Sequence, residues 1–364
     1  MLLVCTASLL ASATTIAPAQ AASTAATGLT YVALGDSYAA GYGLQPPTDQ
    51  PVPGCDQSAQ DYPHRLATAL DLDLTDVACS GAVAANITTT PENTGKGTVP
   101  PQDTALNGNT RIVTLTIGGN DLGFTDIATY CAAASAHGPL LIHPFQFDCR
   151  SHYTASGSDN LQEKLDTTVS PAIAATLAAI HTKAPHAKVF VLGYPAIAPD
   201  AADTPVGGCF RPTLGYPPPA EGYPFTDTDV PFLLQTEQSL DNAIQTDTLA
   251  AGDTFIPTLQ ASLAHTPCAA SATPAGASWI NGLSIASLAP PSLQPGALHP
   301  DAAGVAYLTA QLTTAVKAAL PPNYLSTNPT AYHRLAPSLA LAIAAIAAAI
   351  LLLRRRTRRR AAQH

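Results

Sequence analysis

Charge is what this chain has least of. Only 11% of its 364 residues are Asp, Glu, Lys or Arg. Cations are scarcer still where a fold is expected, because seven of the sixteen Lys and Arg lie at or beyond Arg334. Residues 22–333 therefore carry nine basic against twenty-five acidic side chains, a net of −16. Such a surface offers a phosphate backbone nothing to hold, so nucleic acid is excluded as a partner of the folded part. Neither a C-x-x-C nor an H-x-x-x-H spacing occurs, so no metal centre and no cofactor are expected. Internal repeats are absent as well.

The first twenty-one residues contain no charge at all and end in Ala19-Gln20-Ala21. A small-x-small ending suits cleavage after Ala21, and residues 1–21 are read as a secretory signal, although the usual basic n-region is missing. Cys5 would leave with it. Six cysteines then remain in an exported chain, an even number that points to three disulfides among fifteen possible pairings. At the other end, Leu335 to Leu353 is a run of nineteen residues without a charge. As a helix it would reach about 28 Å, close to the hydrocarbon thickness of a bilayer. Arg354 to Arg356 and Arg358 to Arg360 follow it directly, and basic residues stay cytoplasmic. The expected order is signal 1–21, exported domain 22–320, linker 321–334, transmembrane helix 335–353 and basic cytoplasmic tail 354–364. That order places the domain on the extracellular face of the membrane.

Between these segments, strand and helix patterns alternate. Apolar runs at Leu29–Leu34, Leu74–Ala78, Arg111–Ile117, Lys188–Leu192 and Thr254–Pro257 read as strands. Helical spacing is found over Asp61–Leu70, over 161–180 with a kink at Pro171, and over Val230–Ala250. A last helix has Asp301 as its N-cap and Val305, Leu308, Leu312 and Val316 as its apolar face. The alternation predicts parallel βαβ units. With 33 Pro and 24 Gly, long connections are expected, and residues 85–110, 131–158 and 195–228 read as loops.

Several chemically useful residues stand where strands end. Ser37 follows the first strand in Gly35-Asp36-Ser37-Tyr38, Gly81 follows the second, and Asn120 follows the third in Gly118-Gly119-Asn120-Asp121. His299 precedes the last helix in Leu298-His299-Pro300-Asp301. In an open α/β sheet these loops share one edge, so positions far apart in sequence converge there. Serine, imidazole and amide donors together are what acyl transfer requires: an activated oxygen, a base and an oxyanion site. Asp36 and Asp121 are read as organisers of their turns.

Those four blocks resemble the SGNH, or GDSL-type, hydrolases, over residues 29 to about 320, and in particular their secreted actinobacterial lipase and esterase branch. The resemblance implies a three-layer α/β/α flavodoxin-like fold whose five parallel strands run in the order 2-1-3-4-5. It implies Ser37 as nucleophile, His299 as base and acid, and an oxyanion hole made by the N–H groups of Ser37 and Gly81 with the Asn120 amide. In much of the family an Asp three residues before the histidine orients its ring, and here that position is Gly296. A backbone carbonyl at Gly296 is therefore expected to take over, giving a Ser–His dyad. The same branch implies disulfides Cys55–Cys79, Cys131–Cys149 and Cys209–Cys268. The Gly-x-Ser-x-Gly elbow of other hydrolases is absent, because Ala39 stands at its second glycine. The expected activity is hydrolysis of carboxylic esters, with an ester or lipid substrate, by a monomer. A polysaccharide O-acetyl esterase and a non-catalytic surface module remain open as alternatives.

Overall fold

The computed structural model describes residues 28–155, 157–213, 221–269, 278–288, 291–321 and 324. The predicted signal, transmembrane helix and tail, with most of the linker, lie outside the described residues. Among the described residues no helix is long and apolar enough to cross a membrane.

Five strands form one sheet: β1 (Thr30–Gly35), β2 (Asp73–Asp76), β3 (Ile112–Thr116), β4 (Lys188–Leu192) and β5 (Thr254–Ile256). Their order is 2-1-3-4-5 and every pairing is parallel. The helices that matter below are α1 (Ser37–Ala40), α2 (Tyr62–Leu70), α3 (Ala84–Thr88), α4 (Gly119–Leu122), α5 (Phe124–Cys131), α6 (Ser170–Lys183), α7 (Asp229–Ala250) and α8 (Ala302–Ala319).

Successive side chains of a strand point to opposite faces, and β1 shows why this sheet is covered on both. Tyr31 and Ala33 join one apolar cluster with Tyr62, Leu66 and Leu70 of α2 and Val305, Leu308, Leu312 and Val316 of α8. Val32 and Leu34 join the other, with Ile173, Leu177 and Ile180 of α6 and Leu240 and Ile244 of α7. An apolar stripe on each helix meets an apolar face on each side, which closes a three-layer α/β/α sandwich. Helices α2 and α8 start at side-chain caps. Asp61 accepts the His64 N–H at 2.8 Å, and Asp301 accepts those of Ala303 and Gly304 at 2.8 Å each. Such a cap contributes about 1 kcal/mol.

Two connections differ from their sequence reading. Residues 85–110 are more ordered than a loop: α3 opens the stretch, Glu92–Asn93 pairs antiparallel with Thr98–Val99, and a 3-10 turn spans Gln102–Ala105. The pattern is hidden because each piece is shorter than the period that would reveal it. At Pro171 the chain does not simply kink. A π-helical turn at Leu165–Val169 sits between a short helix, Asn160–Lys164, and α6, whose first turn holds the proline. Proline has no N–H for the carbonyl four residues back and its ring crowds that carbonyl, so a wider turn relieves the conflict. The structure also joins Cys55 to Cys79, Cys131 to Cys149 and Cys209 to Cys268.

Candidate active site

Strand order reverses between β1 and β3, and a crevice opens beyond the carboxyl ends of those two strands. The backbone is turned sharply to enter it. Gly35 has φ +142°, and an added Cβ would stand 2.6 Å from the Thr116 carbonyl oxygen of β3. Gln102 clamps the same residue on both sides, accepting the Gly35 N–H at 2.8 Å and donating to the Gly35 carbonyl at 2.9 Å. Asp36 then caps α1 by accepting the Tyr38 N–H at 2.9 Å, which leaves Ser37 at the first position of the helix.

The loop before α8 is brought to this turn by contacts along its length. Tyr38 donates its hydroxyl to the Leu298 carbonyl at 2.6 Å. Further along, the backbones of Gly43 and Gly296 approach so closely that a Cβ on Gly43 would lie 2.4 Å from the Gly296 Cα. Only glycine at both positions permits that packing. The result is that Ser37 Oγ lies 2.7 Å from His299 Nε2, across 262 positions of sequence.

The ring's other nitrogen corrects one expectation. His299 Nδ1 lies 2.8 Å from the carbonyl oxygen of Ala297, not of Gly296. The Gly296 carbonyl is already used, accepting the His299 backbone N–H at 2.9 Å in a tight turn and the Asn281 Nδ2–H at 3.1 Å. Leu298 takes a left-handed conformation, φ +58°, inside that turn, and it is the Ala297 carbonyl that reaches the imidazole. Tyr38 and Tyr42 flank the ring, with centroids 4.7 and 5.1 Å away. Burial in this setting pulls His299 down from its ordinary value to about 4, and the Ala297 carbonyl offsets only part of that. The imidazole is therefore neutral at physiological pH, and Nδ1–H donating to a carbonyl leaves Nε2 as the acceptor facing Ser37.

Asn120 lies on α4 beside Ser37 and gives one N–H of its amide to the Ala82 carbonyl at 3.0 Å. Asp121 accepts the Ala84 N–H with both carboxylate oxygens, at 3.0 and 3.1 Å, and so ties the loops after β2 and β3 together. Gly81 adopts φ +101° in the first of those loops. It is exposed and is not among the residues that line the cleft. That cleft is walled by Ser37, Asn120 and His299 together with Leu122, Phe124, Ile197 and Leu240.

Sequence reasoning did not find Tyr194 or Glu237. Tyr194 donates its hydroxyl to Asp36 Oδ2 and accepts the Gly119 N–H at 3.0 Å, so it bridges the turns after β1 and β3. Burial raises Asp36 to about 7, against the lowering effect of Tyr194. The signal for Tyr194 was its place two residues beyond β4, the same strand-end rule that picks Ser37. Glu237 lies buried on α7 and accepts the N–H groups of Ile197 and Ala198, at 3.1 Å for the first. Burial raises it to about 8. A carboxylate inside the apolar stripe of α7 was its visible mark. Among the described residues, the side chains grouped closely enough to hold a metal ion do not line this cleft.

The family model for GDSL-like Lipase/Acylhydrolase matches residues 33–307. Lipase 2 of Streptomyces coelicolor is 35% identical over 289 residues, 79% of this chain and 84% of its own. An esterase of Streptomyces scabiei is 30% identical over 256 residues, 65% of this chain and 72% of its own. The extracellular lipase of Streptomyces rimosus superposes with a TM-score of 0.57 at 22% identity, over 79% of this chain and 99% of that one. The chain belongs to the GDSL-like lipase and acylhydrolase family. It is accordingly a hydrolase of the lipase and esterase class.

Proposed function

We propose that this protein is an exported, membrane-tethered serine esterase or lipase that cleaves carboxylic acyl esters through an acyl-enzyme with a Ser–His dyad. The observation that carries the reading is the chain of contacts Ser37 Oγ to His299 Nε2 at 2.7 Å and His299 Nδ1 to the Ala297 carbonyl at 2.8 Å. His299 takes the Ser37 hydroxyl proton as Oγ bonds to the ester carbonyl carbon, and the carbonyl electron pair moves onto oxygen. The oxyanion is met by the Ser37 and Gly81 N–H groups and by the free N–H of the Asn120 amide. When the tetrahedral species collapses, the C–O bond to the alcohol breaks and His299 returns the proton to the leaving oxygen. Water then repeats the sequence on the acyl-enzyme and releases the acid.

A backbone carbonyl behind the imidazole fixes its tautomer but offers the imidazolium less charge than a carboxylate does. The apolar wall of Leu122, Phe124, Ile197 and Leu240 suits an acyl chain better than a sugar. No cofactor enters this scheme. Export is supported by residues 1–21 and by three disulfides, and the tether by the uncharged stretch 335–353 with six arginines behind it. The ester is the only partner invoked, and the enzyme acts as a monomer. Purified Ser37→Ala should lose hydrolysis of p-nitrophenyl esters while keeping its unfolding temperature; wild-type turnover in that variant would end the proposal. Chain cut after position 334 should leave the membrane fraction for the medium, and retention there would remove the tether.

A further inference from the structure

The reaction makes no use of a group of side chains at the edge of the sheet. Asp61, the cap of α2, spends Oδ1 on the His64 N–H at 2.8 Å. Asp76, at the end of β2, spends Oδ1 on the Ala78 N–H at 3.0 Å. The second oxygen of each carboxylate, Oδ2, is buried and has no hydrogen-bond partner, although the two side chains are only 0% and 3% exposed. His64 Nδ1 lies 2.8 Å from Asp61 Oδ1 and 3.5 Å from Asp76 Oδ2. One donor atom from each of the three residues falls within 4.8 Å of the others.

Two facing carboxylates repel each other where burial leaves little water to screen them, unless a proton or a cation lies between them. Two side chains that can carry positive charge stand beside the pair: the His64 ring, within ion-pair range of both carboxylates, and Arg65, whose charge favours the Asp61 carboxylate. Arg65 turns a guanidinium nitrogen to Gln60 Oε1 at 3.4 Å, and its own Nε is unpartnered. The hydroxyls of Tyr31 and Tyr62 are engaged with Thr114 and Thr116 at 2.7 and 2.8 Å. What the cluster needs is a compact positive charge.

We propose that Asp61, His64 and Asp76 bind one divalent transition-metal ion, Zn²⁺ foremost, with water as the fourth ligand. Carboxylate oxygen and imidazole nitrogen are donor types that zinc accepts, and a water would complete its usual four-coordination. Calcium, which takes about six to eight oxygens, would be left short. The backbone N–H on each Oδ1 holds its carboxylate in place, the outer-shell support that such sites require. His64 is 32% exposed, so the ion has a way in. The Cys55–Cys79 disulfide already links the two segments that carry the ligands.

The placement assigns the ion a structural role. Gly41 closes α1, and an added Cβ there would lie 2.7 Å from the Asp61 Cβ. Ser58 also donates its N–H to the Ala40 carbonyl at 2.8 Å. An ion on Asp61 would thus brace the turn that presents Ser37 from behind, without touching the ester.

The test uses the purified oxidised protein, stripped with a chelator and dialysed against ZnCl2, with CaCl2 in parallel. Bound metal is measured by plasma mass spectrometry, affinity by calorimetry and stability by thermal unfolding. One zinc per chain, a raised unfolding temperature and no comparable effect of calcium are expected. Asp76→Asn and His64→Gln should each weaken zinc binding about tenfold or more. His64→Gln alters a partly exposed ring, so it decides the matter should Asp76→Asn not fold. Absence of stoichiometric zinc would overturn the proposal in favour of a proton shared by the two carboxyls. Unchanged affinity in His64→Gln would overturn it by placing the ion elsewhere.

Discussion

Replacing Asn120 with alanine separates an oxyanion donor from an ordinary turn residue. One N–H of the side-chain amide is held by the Ala82 carbonyl at 3.0 Å, which fixes the amide plane, and the residue lines the cleft beside Ser37. Losing the hydrogen bond to Ala82 should cost about 0.5–1.5 kcal/mol of stability. Losing a donor to the developing oxyanion should cost about 2.7–4 kcal/mol in the barrier, a hundred- to thousandfold in kcat. The catalytic loss therefore exceeds the structural one and cannot be charged to unfolding. Asn120→Asp keeps the shape but puts an acceptor where a donor is needed, and it should lose at least as much. The assay is kcat and KM on p-nitrophenyl butyrate, with thermal unfolding on the same preparations. A folded Asn120→Ala enzyme with kcat within about threefold of wild type would refute the role.

The pH dependence of kcat/KM reports the free enzyme's base. With His299 held down at about 4 by burial, activity should stay level through pH 6.5 and fall only as pH drops towards that value; a limb at the ordinary imidazole position would contradict it. Tyr194→Phe strips Asp36 of its O–H donor and should cost about 1–3 kcal/mol in denaturant unfolding, and an unchanged midpoint would argue that the bridge does nothing. Glu237 is raised by burial to about 8 in the folded state. Its contribution is thus fully present below its unfolded value and lost as pH rises through 8. Stability should accordingly decline between pH 5 and 8, and Glu237→Gln should flatten that decline by up to about 1.4 kcal/mol per pH unit. Parallel slopes in the two proteins would refute the assignment.

What could be read from the sequence was whatever local pattern controls. The alternating and continuous apolar runs of β1, β3 and β4 set strand identity, and strand ends located Ser37 and Asn120 because a parallel sheet gathers its loops at one edge. The cap at Asp301 was equally legible, since its partners are two and three residues away. Contacts between distant loops were not. Tyr194 looks like any strand-end tyrosine until Asp36 and Gly119 are placed beside it. The orienting carbonyl differs by one residue, Ala297 in place of Gly296, because the positive φ of Leu298 decides which oxygen turns inward. Spacing rules for metal sites look for repeated Cys or His, and a set built from Asp61, His64 and Asp76 on a helix and a strand falls outside them.

The most direct measurement is intact-mass and peptide mapping after reaction with a fluorophosphonate. One adduct per chain, on Ser37, abolished in Ser37→Ala and strongly slowed in His299→Ala, is the expected result. An adduct on another residue, or labelling of Ser37 at an unchanged rate without His299, would contradict a serine activated by that imidazole.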